Sequence, residues 1–156
     1  MVLLSFNQTN EEFNMKTSAR NQFTGTVTEV IIGAVNAEVH VGLKGGETIV
    51  ASITKESVET LGIKTGTAVI ALVKAPQIII VTDFGGYRIS ARNQMPGTVA
   101  LVKPGAVNTE IDIESKGGEQ ITATVTNDSV ETLGLRKGQA VTAVFKAGAV
   151  ILAVAG

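Results

Sequence analysis

The sequence predicts an all-β protein of two tandem OB-like five-stranded barrels, each carrying one short helix. The first observation is an internal repeat: residues 18–84 laid over residues 90–156 are identical at 34 of 67 positions, without a gap. The second is that each copy consists of short segments rich in valine, isoleucine and threonine, separated by glycine. The third is one short helical segment per copy. We therefore expect two similar modules.

The same elements are expected in the same order in both modules. In the first module, strands are predicted at residues 24–32, 37–43, 48–53, 68–73 and 78–82. The apolar residues Val39, Val41 and Leu43 alternate with polar ones, which indicates a strand with one buried face. The Gly-Gly pair at residues 45–46 predicts a hairpin turn. In the second module, the clearest strands are predicted at residues 110–114, 120–125, 140–145 and 149–155.

One helix of two turns is predicted in each module. Thr54 is suited to the N-cap of a helix over residues 55–61, and Gly62 to the left-handed position that follows it. The second module repeats this pattern between Thr126 and Gly134. Such short helices depend on packing for their stability.

The repeat also sets the expected domain boundaries. We expect a flexible tail at residues 1–15, a first domain at 16–83, a linker at 84–88 containing a Gly-Gly pair, and a second domain at 89–156. Modules this small bury little surface alone, so packing between modules and between chains is the expected source of stability.

Composition excludes several classes of function. The net charge is −1 and aromatic residues make up only 4% of the chain, which argues against nucleic-acid binding. Cysteine is absent, and the single histidine, His40, becomes Asp112 in the second module, so we expect it to be an ordinary strand residue. No apolar run is long enough to span a membrane, and no export signal is evident. We therefore expect a cytoplasmic protein without membrane association.

A string of hydrogen-bond donors occurs once in each module. Ser-Ala-Arg-Asn stands at residues 18–21 and again at residues 90–93, and Lys-Ala stands at residues 74–75 and 146–147. These side chains are donors and cations with no general base among them, which suits holding an oxyanion and not breaking a bond. The alternative is a strand start with a surface arginine, because a duplicated fold also repeats its structural residues.

A Gly-Ala-Val-Asn turn is a second candidate in each module. Its backbone N–H groups could form an anion-binding nest, and such turns could gather on the axis of a symmetric assembly. The alternative is a tight turn that needs glycine and asparagine for their dihedral angles. The residues of this candidate axial oxyanion site are Gly33, Val35, Asn36, Gly105, Val107 and Asn108.

Five segments of the sequence resemble the Mop domain of molbindins, which bind molybdate or tungstate. They are the motif string at residues 15–22 and residues 25–27, 33–39, 57–62 and 74–76. The resemblance covers residues 16–156 and implies a homotrimer with anions held between subunits by hydrogen bonds to their oxo groups. No direct metal coordination and no further cofactor are implied. The oxyanion-binding residues are then expected to be Thr17, Ser18, Ala19, Arg20, Asn21, Lys74, Ala75, Ile89, Ser90, Ala91, Arg92, Asn93, Lys146, Ala147 and Gly148. Which Lys-Ala completes which site is left open.

The function expected from this resemblance is cytoplasmic binding and storage of molybdate or tungstate, without enzymatic activity. One alternative is a molybdate-sensing module that acts with a separate partner protein. A tandem OB nucleic-acid-binding protein is a weaker alternative. After Lys-Ala the copies differ, with Pro76 in one and Gly148 in the other, so the two sites could differ in affinity because proline lacks an N–H.

Overall fold

The computed structural model describes residues 15–156, so nearly all of the predicted tail lies outside the described residues. The first module contains strands β1 (Asn21–Ile32), β2 (Asn36–Leu43), β3 (Thr48–Thr54), β4 (Ala68–Val73) and β5 (Ile79–Val81), with helix α1 (Lys55–Leu61). The second contains β6 (Asn93–Pro104), β7 (Asn108–Ser115), β8 (Gln120–Thr126), β9 (Ala140–Phe145) and β10 (Ile151–Ala153), with helix α2 (Asn127–Leu133). The prediction of an all-β fold with one helix per module is confirmed.

The first strand of each module is longer than the sequence indicated. It begins at Asn21, three residues earlier than predicted, because residues 21–26 pair with β4 in antiparallel register. Phe23 and Val27 alternate inward and are buried. The strand also carries a bulge between Val27 and Glu29. A bulge bends a strand and increases its twist, which helps a short sheet curl into a barrel.

The fifth strand of each sheet comes from the other module. The strand orders are β10-β4-β1-β2-β3 and β5-β9-β6-β7-β8, so β5 and β10 are exchanged. This corrects the expectation that each module supplies all five of its strands. The physical reason is a 3₁₀ turn after β4, at Ala75–Gln77, which packs against β8 and directs the chain to the second sheet. Ile80 and Leu152 are buried by the exchange.

Both helices have the predicted ends. The Thr54 hydroxyl accepts a hydrogen bond from the Ser57 N–H at 3.0 Å, and Thr126 caps the second helix in the same way. Gly62 takes a φ of 66° and ends the first helix in the left-handed region, which suits glycine because it lacks a Cβ. None of the helices within residues 15–156 is long and apolar enough to cross a membrane.

The two Gly-Gly hairpin turns pack against each other. A Cβ at Gly45 would lie 2.0 Å from the carbonyl oxygen of Gly117, which is closer than any real contact. The Ser115 hydroxyl donates a hydrogen bond to the Glu47 carboxylate at 2.8 Å, from one hairpin to the other. Glycine is therefore required at these tips for close approach of the two modules.

Candidate oxyanion-binding site

Strand register brings the arginine and the lysine of each module to the same edge. Asn21 is paired with Val73 at the last position of the β1–β4 ladder. Arg20 directly precedes Asn21 and Lys74 directly follows Val73, so both residues adjoin this end of the ladder, and both are exposed. The sequence leaves open which Lys-Ala completes which site, and in the structure the two strings of one module adjoin the same end of one strand ladder. Arg92 and Lys146 adjoin the Asn93–Phe145 pair of the β6–β9 ladder in the same way.

Each arginine forms a bidentate ion pair with a glutamate of the other module. The guanidinium of Arg20 donates from Nη1 and Nη2 to the Glu110 carboxylate at 2.5 and 3.1 Å. Arg92 donates in the same way to Glu38 at 2.5 and 3.3 Å. Glu38 lies on β2 and Glu110 on β7. The two candidate sites therefore span the boundary between the modules.

The two glutamates are held ionised by their partners. The hydrogen bond from Arg92 lowers the pKa of the Glu38 carboxyl, and the hydrogen bond from His40 lowers it further. The hydrogen bond from Arg20 lowers the pKa of Glu110, with a smaller contribution from Lys103. Charge-assisted bidentate pairs of this kind fix both the distance and the plane of the guanidinium.

The surroundings of the two ion pairs differ. The ring nitrogen Nε2 of His40 lies 2.6 Å from a Glu38 carboxylate oxygen. In the other module Asp112 occupies the equivalent position, is buried, and accepts a hydrogen bond from the Thr122 hydroxyl at 2.9 Å. Lys103 Nζ lies 3.6 Å from Glu110. His40 lies in a strand as expected, and it also contacts the carboxylate that binds Arg92.

The sequence analysis did not identify the two glutamates. The signal was present, because Glu38 and Glu110 are separated by the same 72 positions as the arginines and keep their identity in both modules. An acidic residue is an unexpected neighbour for an anion, so sequence reasoning directed to donors passed over it.

The two asparagines of the donor strings are buried. Asn21 is 1% exposed, and its amide donates to the carbonyls of Val73 and Thr122 at 3.1 and 2.8 Å and accepts from the Thr122 N–H at 2.7 Å. Asn93 is 2% exposed, and its amide pairs with both backbone groups of Val50 at 2.8 Å. An amide side chain offers the same donor and acceptor as a peptide group, so each asparagine joins the strand edge of the opposite module.

The remaining predicted residues of the strings differ in accessibility. Ser18 and Ser90 are exposed, Ala19 and Ala91 are half-buried, and Ala75 is buried while Ala147 is half-buried. The Ala19 N–H donates to the Thr17 hydroxyl at 3.2 Å, whereas Ile89, which is exposed, stands at the position of Thr17 in the second module. Gly148 stands in open space at the position of Pro76.

The Gly-Ala-Val-Asn turns lie apart from the arginine of their own module, at the opposite end of β1 or β6. The Gly33 N–H donates to the Asn36 carbonyl at 2.8 Å, so it faces into the turn. Within residues 15–156 no residue other than glycine has a positive φ, and Gly33 itself has none. Gly33 and Asn36 are therefore not needed for a left-handed backbone, and Gly33 is required because a Cβ would lie 2.8 Å from the Asn36 oxygen.

The comparison with known proteins gives one family match in each module. The TOBE domain model matches residues 17–80 and again residues 89–152. The chain is 45% identical over 141 residues to the molybdenum transport protein ModE of Herbaspirillum seropedicae, covering 90% of this chain and 52% of that protein. It is 44% identical over 139 residues to the molybdenum-pterin-binding protein MopA of Rhodobacter capsulatus, covering 89% and 52%. The chain thus spans about half the length of these relatives.

Among solved structures, the chain superposes on the molybdate-bound form of a cytoplasmic molybdate-binding protein, ModG, with a TM-score of 0.88. The two are 48% identical, and the match covers 90% of this chain and all of that one. Two TOBE matches in tandem and this full-length similarity identify the chain as a member of the TOBE domain family, of the tandem Mop-domain type found in molbindins.

Proposed function

We propose that this chain binds and stores molybdate or tungstate in the cytoplasm, through hydrogen bonds and without a direct bond between metal and protein. The observation that carries the proposal is that a Ser-Ala-Arg string and a Lys-Ala pair adjoin the same end of one strand ladder, in both modules. One arginine and one lysine match the double negative charge of a tetrahedral oxyanion. The relatives support the ligand, because ModG is described as molybdate-binding.

The proposed donors at the first site are Ser18, Ala19, Arg20, Lys74 and Ala75. Their counterparts at the second site are Ser90, Ala91, Arg92, Lys146 and Ala147, with Gly148 adding an N–H that Pro76 lacks. Asn21 and Asn93 are left out of the donor set because their amides bond backbone groups. The donor set contains no general base, which supports binding without catalysis. The difference between glycine and proline supports two sites of unequal affinity.

We further propose that the chain acts as a homotrimer in which subunits meet around the anion sites. Support comes from apolar side chains that stand in solvent: Val35 is 72% exposed and Val107 73%, and Ile79 and Ile151 are also exposed. Burial of such side chains favours association. Native mass spectrometry with and without sodium molybdate tests this proposal, and a monomer that binds two anions at full affinity would contradict it.

Equilibrium dialysis against molybdate, tungstate, sulfate and phosphate tests the ligand. Molybdate and tungstate should compete with each other, whereas sulfate, which is smaller and cannot reach every donor, should compete weakly. Arg20→Ala and Arg92→Ala should each weaken one site by about 2–3 kcal/mol, because each removes a charge-assisted donor. Arg136→Ala is the matched control, because Arg136 is exposed and bonds the carbonyl of Gly134. Equal competition by sulfate would contradict the proposal.

A sensing role is the second candidate. It is favoured by the ModE relatives, which include proteins described as transcriptional regulators, and by the fact that the chain spans about half their length. Measurement of molybdate-dependent binding to other proteins of the same cell distinguishes sensing from storage, because storage needs no partner.

A further inference from the structure

We infer that Glu38 and Glu110 are positioning residues for the oxyanion sites, each orienting from one module the arginine that the other module presents to the anion. The inference rests on the proposed function and adds to it two acidic residues that contact no anion. It also makes each site a joint product of both modules, because Arg20 comes from the first module and its glutamate from the second.

The geometry of the ion pairs leaves the arginines able to bind a second partner. A guanidinium has five N–H donors, and a bidentate pair through Nη1 and Nη2 uses one from each terminal nitrogen. Three N–H groups remain, and the Nε–H lies parallel to one of them. The Nε–H and this parallel N–H can bind two oxygens of an oxyanion, as the other pair of N–H groups binds the carboxylate.

The arginines need such support because of where they stand. Arg20 and Arg92 precede the first paired residues of β1 and β6, so their backbone lies outside the ladder, and both side chains are about half exposed. Glu110 and Glu38, by contrast, lie inside paired strands and are 21% and 29% exposed. The glutamate is therefore the rigid member of each pair, and it restricts an otherwise mobile arginine before the anion arrives.

The same bidentate arginine–glutamate pair occurs in both modules, although the residues around it differ. His40, which also lies near Glu29, contacts Glu38, whereas Lys103 lies near Glu110. Only the bidentate carboxylate is common to both modules. This indicates that the role of the glutamate is to orient the guanidinium and not to set the local charge.

An electrostatic argument gives the opposite expectation, and this makes the inference testable. A carboxylate near a doubly charged anion repels it, so a glutamate without a positioning role would weaken binding, and its neutralisation would strengthen binding. If Glu110 positions Arg20, its replacement by glutamine loses one arm of the bidentate pair and weakens binding in spite of the lost negative charge.

The experiment is titration of the intact protein with sodium molybdate by isothermal calorimetry. Glu110→Gln should weaken one of the two site classes roughly three- to tenfold, the range expected when one side chain must be ordered on binding. Glu114→Gln is the matched control, because Glu114 lies exposed on the same strand and loses the same charge. Glu110→Asp, which keeps the charge but shortens the reach, should also weaken the site. Tighter binding by Glu110→Gln would overturn the inference.

A double-mutant cycle separates positioning from a merely structural role. In the Arg20→Ala background, Glu110→Gln should no longer weaken molybdate binding, because the residue through which Glu110 acts is gone and only its repulsion of the anion is removed. An undiminished effect in that background would contradict the inference.

A measurement without ligand keeps the inference distinct from the proposed function. Side-chain ¹⁵N NMR should show slowed rotation of the Arg20 guanidinium in the wild type and faster rotation in Glu110→Gln. Failure of the wild type to bind molybdate would reject the proposed function. Unchanged rotation of the guanidinium in Glu110→Gln would reject the positioning role of Glu110.

Discussion

Asn21 offers the sharpest test of how the modules are joined. Its buried amide makes three hydrogen bonds, two of them to Thr122 in the opposite module. Asn21→Ala leaves those backbone groups without partners, and three bonds at about 1 kcal/mol each predict a loss of about 3 kcal/mol in the free energy of unfolding. For a chain of this size, that loss lowers Tm by about 6–12 °C.

The assay is urea and thermal unfolding followed by circular dichroism, with molybdate titration of the same samples. The neighbouring Gln22→Ala serves as the control, because Gln22 is exposed, and its stability should match the wild type. If Asn21 instead donates to the anion, as its place in the donor string predicts, Asn21→Ala should lose affinity with little loss of stability. A change in stability of less than about 0.5 kcal/mol would refute the structural role, since surface substitutions produce changes of that size.

Three further predictions follow from the fold and the ion pairs. Fragments 15–86 and 87–156 each carry the fifth strand of the other sheet, so neither should give a cooperative unfolding transition alone, and mixing them should restore one; a cooperative transition in an isolated fragment would contradict the exchange. Gly45→Ala should lower stability by about 1–3 kcal/mol, because its Cβ would overlap the facing hairpin, whereas Gly148→Ala, in open space, should be neutral by the same denaturation assay. The pKa of Glu110 is lowered, so its ion pair stabilises the fold above pH 4.5, the ordinary carboxyl value, and this stabilisation is lost as the pH falls below 4.5. Glu110→Gln should flatten that part of the stability–pH profile. An unchanged profile would show that the ion pair does not contribute to stability.

The order of elements could be predicted from the sequence because each depends on local signals. Thr54 and Gly62 mark the ends of a helix by their own chemistry, and alternation marks β2 as a strand with one buried face. The exchange of β5 and β10 could not be predicted in this way. Ile79 and Ile151 occupy equivalent positions in two similar modules, so either strand fits either sheet by pattern, and only the path of the 3₁₀ turn decides between them.

The candidate site could be predicted in part. Arg20 and Lys74 were identified by their repetition, and their proximity follows from a strand register that the sequence does not show. Asn21 shared the same motif, but its burial depends on the approach of β8 from the other module. A motif read in one dimension cannot distinguish the side chain that faces the ligand from the adjacent one that faces the core.

The exchange of strands has a consequence for synthesis on the ribosome. The first sheet has β4 at its edge until β10 is made, and the ribosome must add 77 residues between the end of β4 and Ile151. At about 5–20 residues per second this interval lasts about 4–15 seconds, during which the backbone groups along β4 lack their final partner. An unpaired edge is a template for pairing with other nascent chains. The choice of codons for the second module therefore sets how long each nascent chain can misassemble with other chains translated from the same messenger RNA.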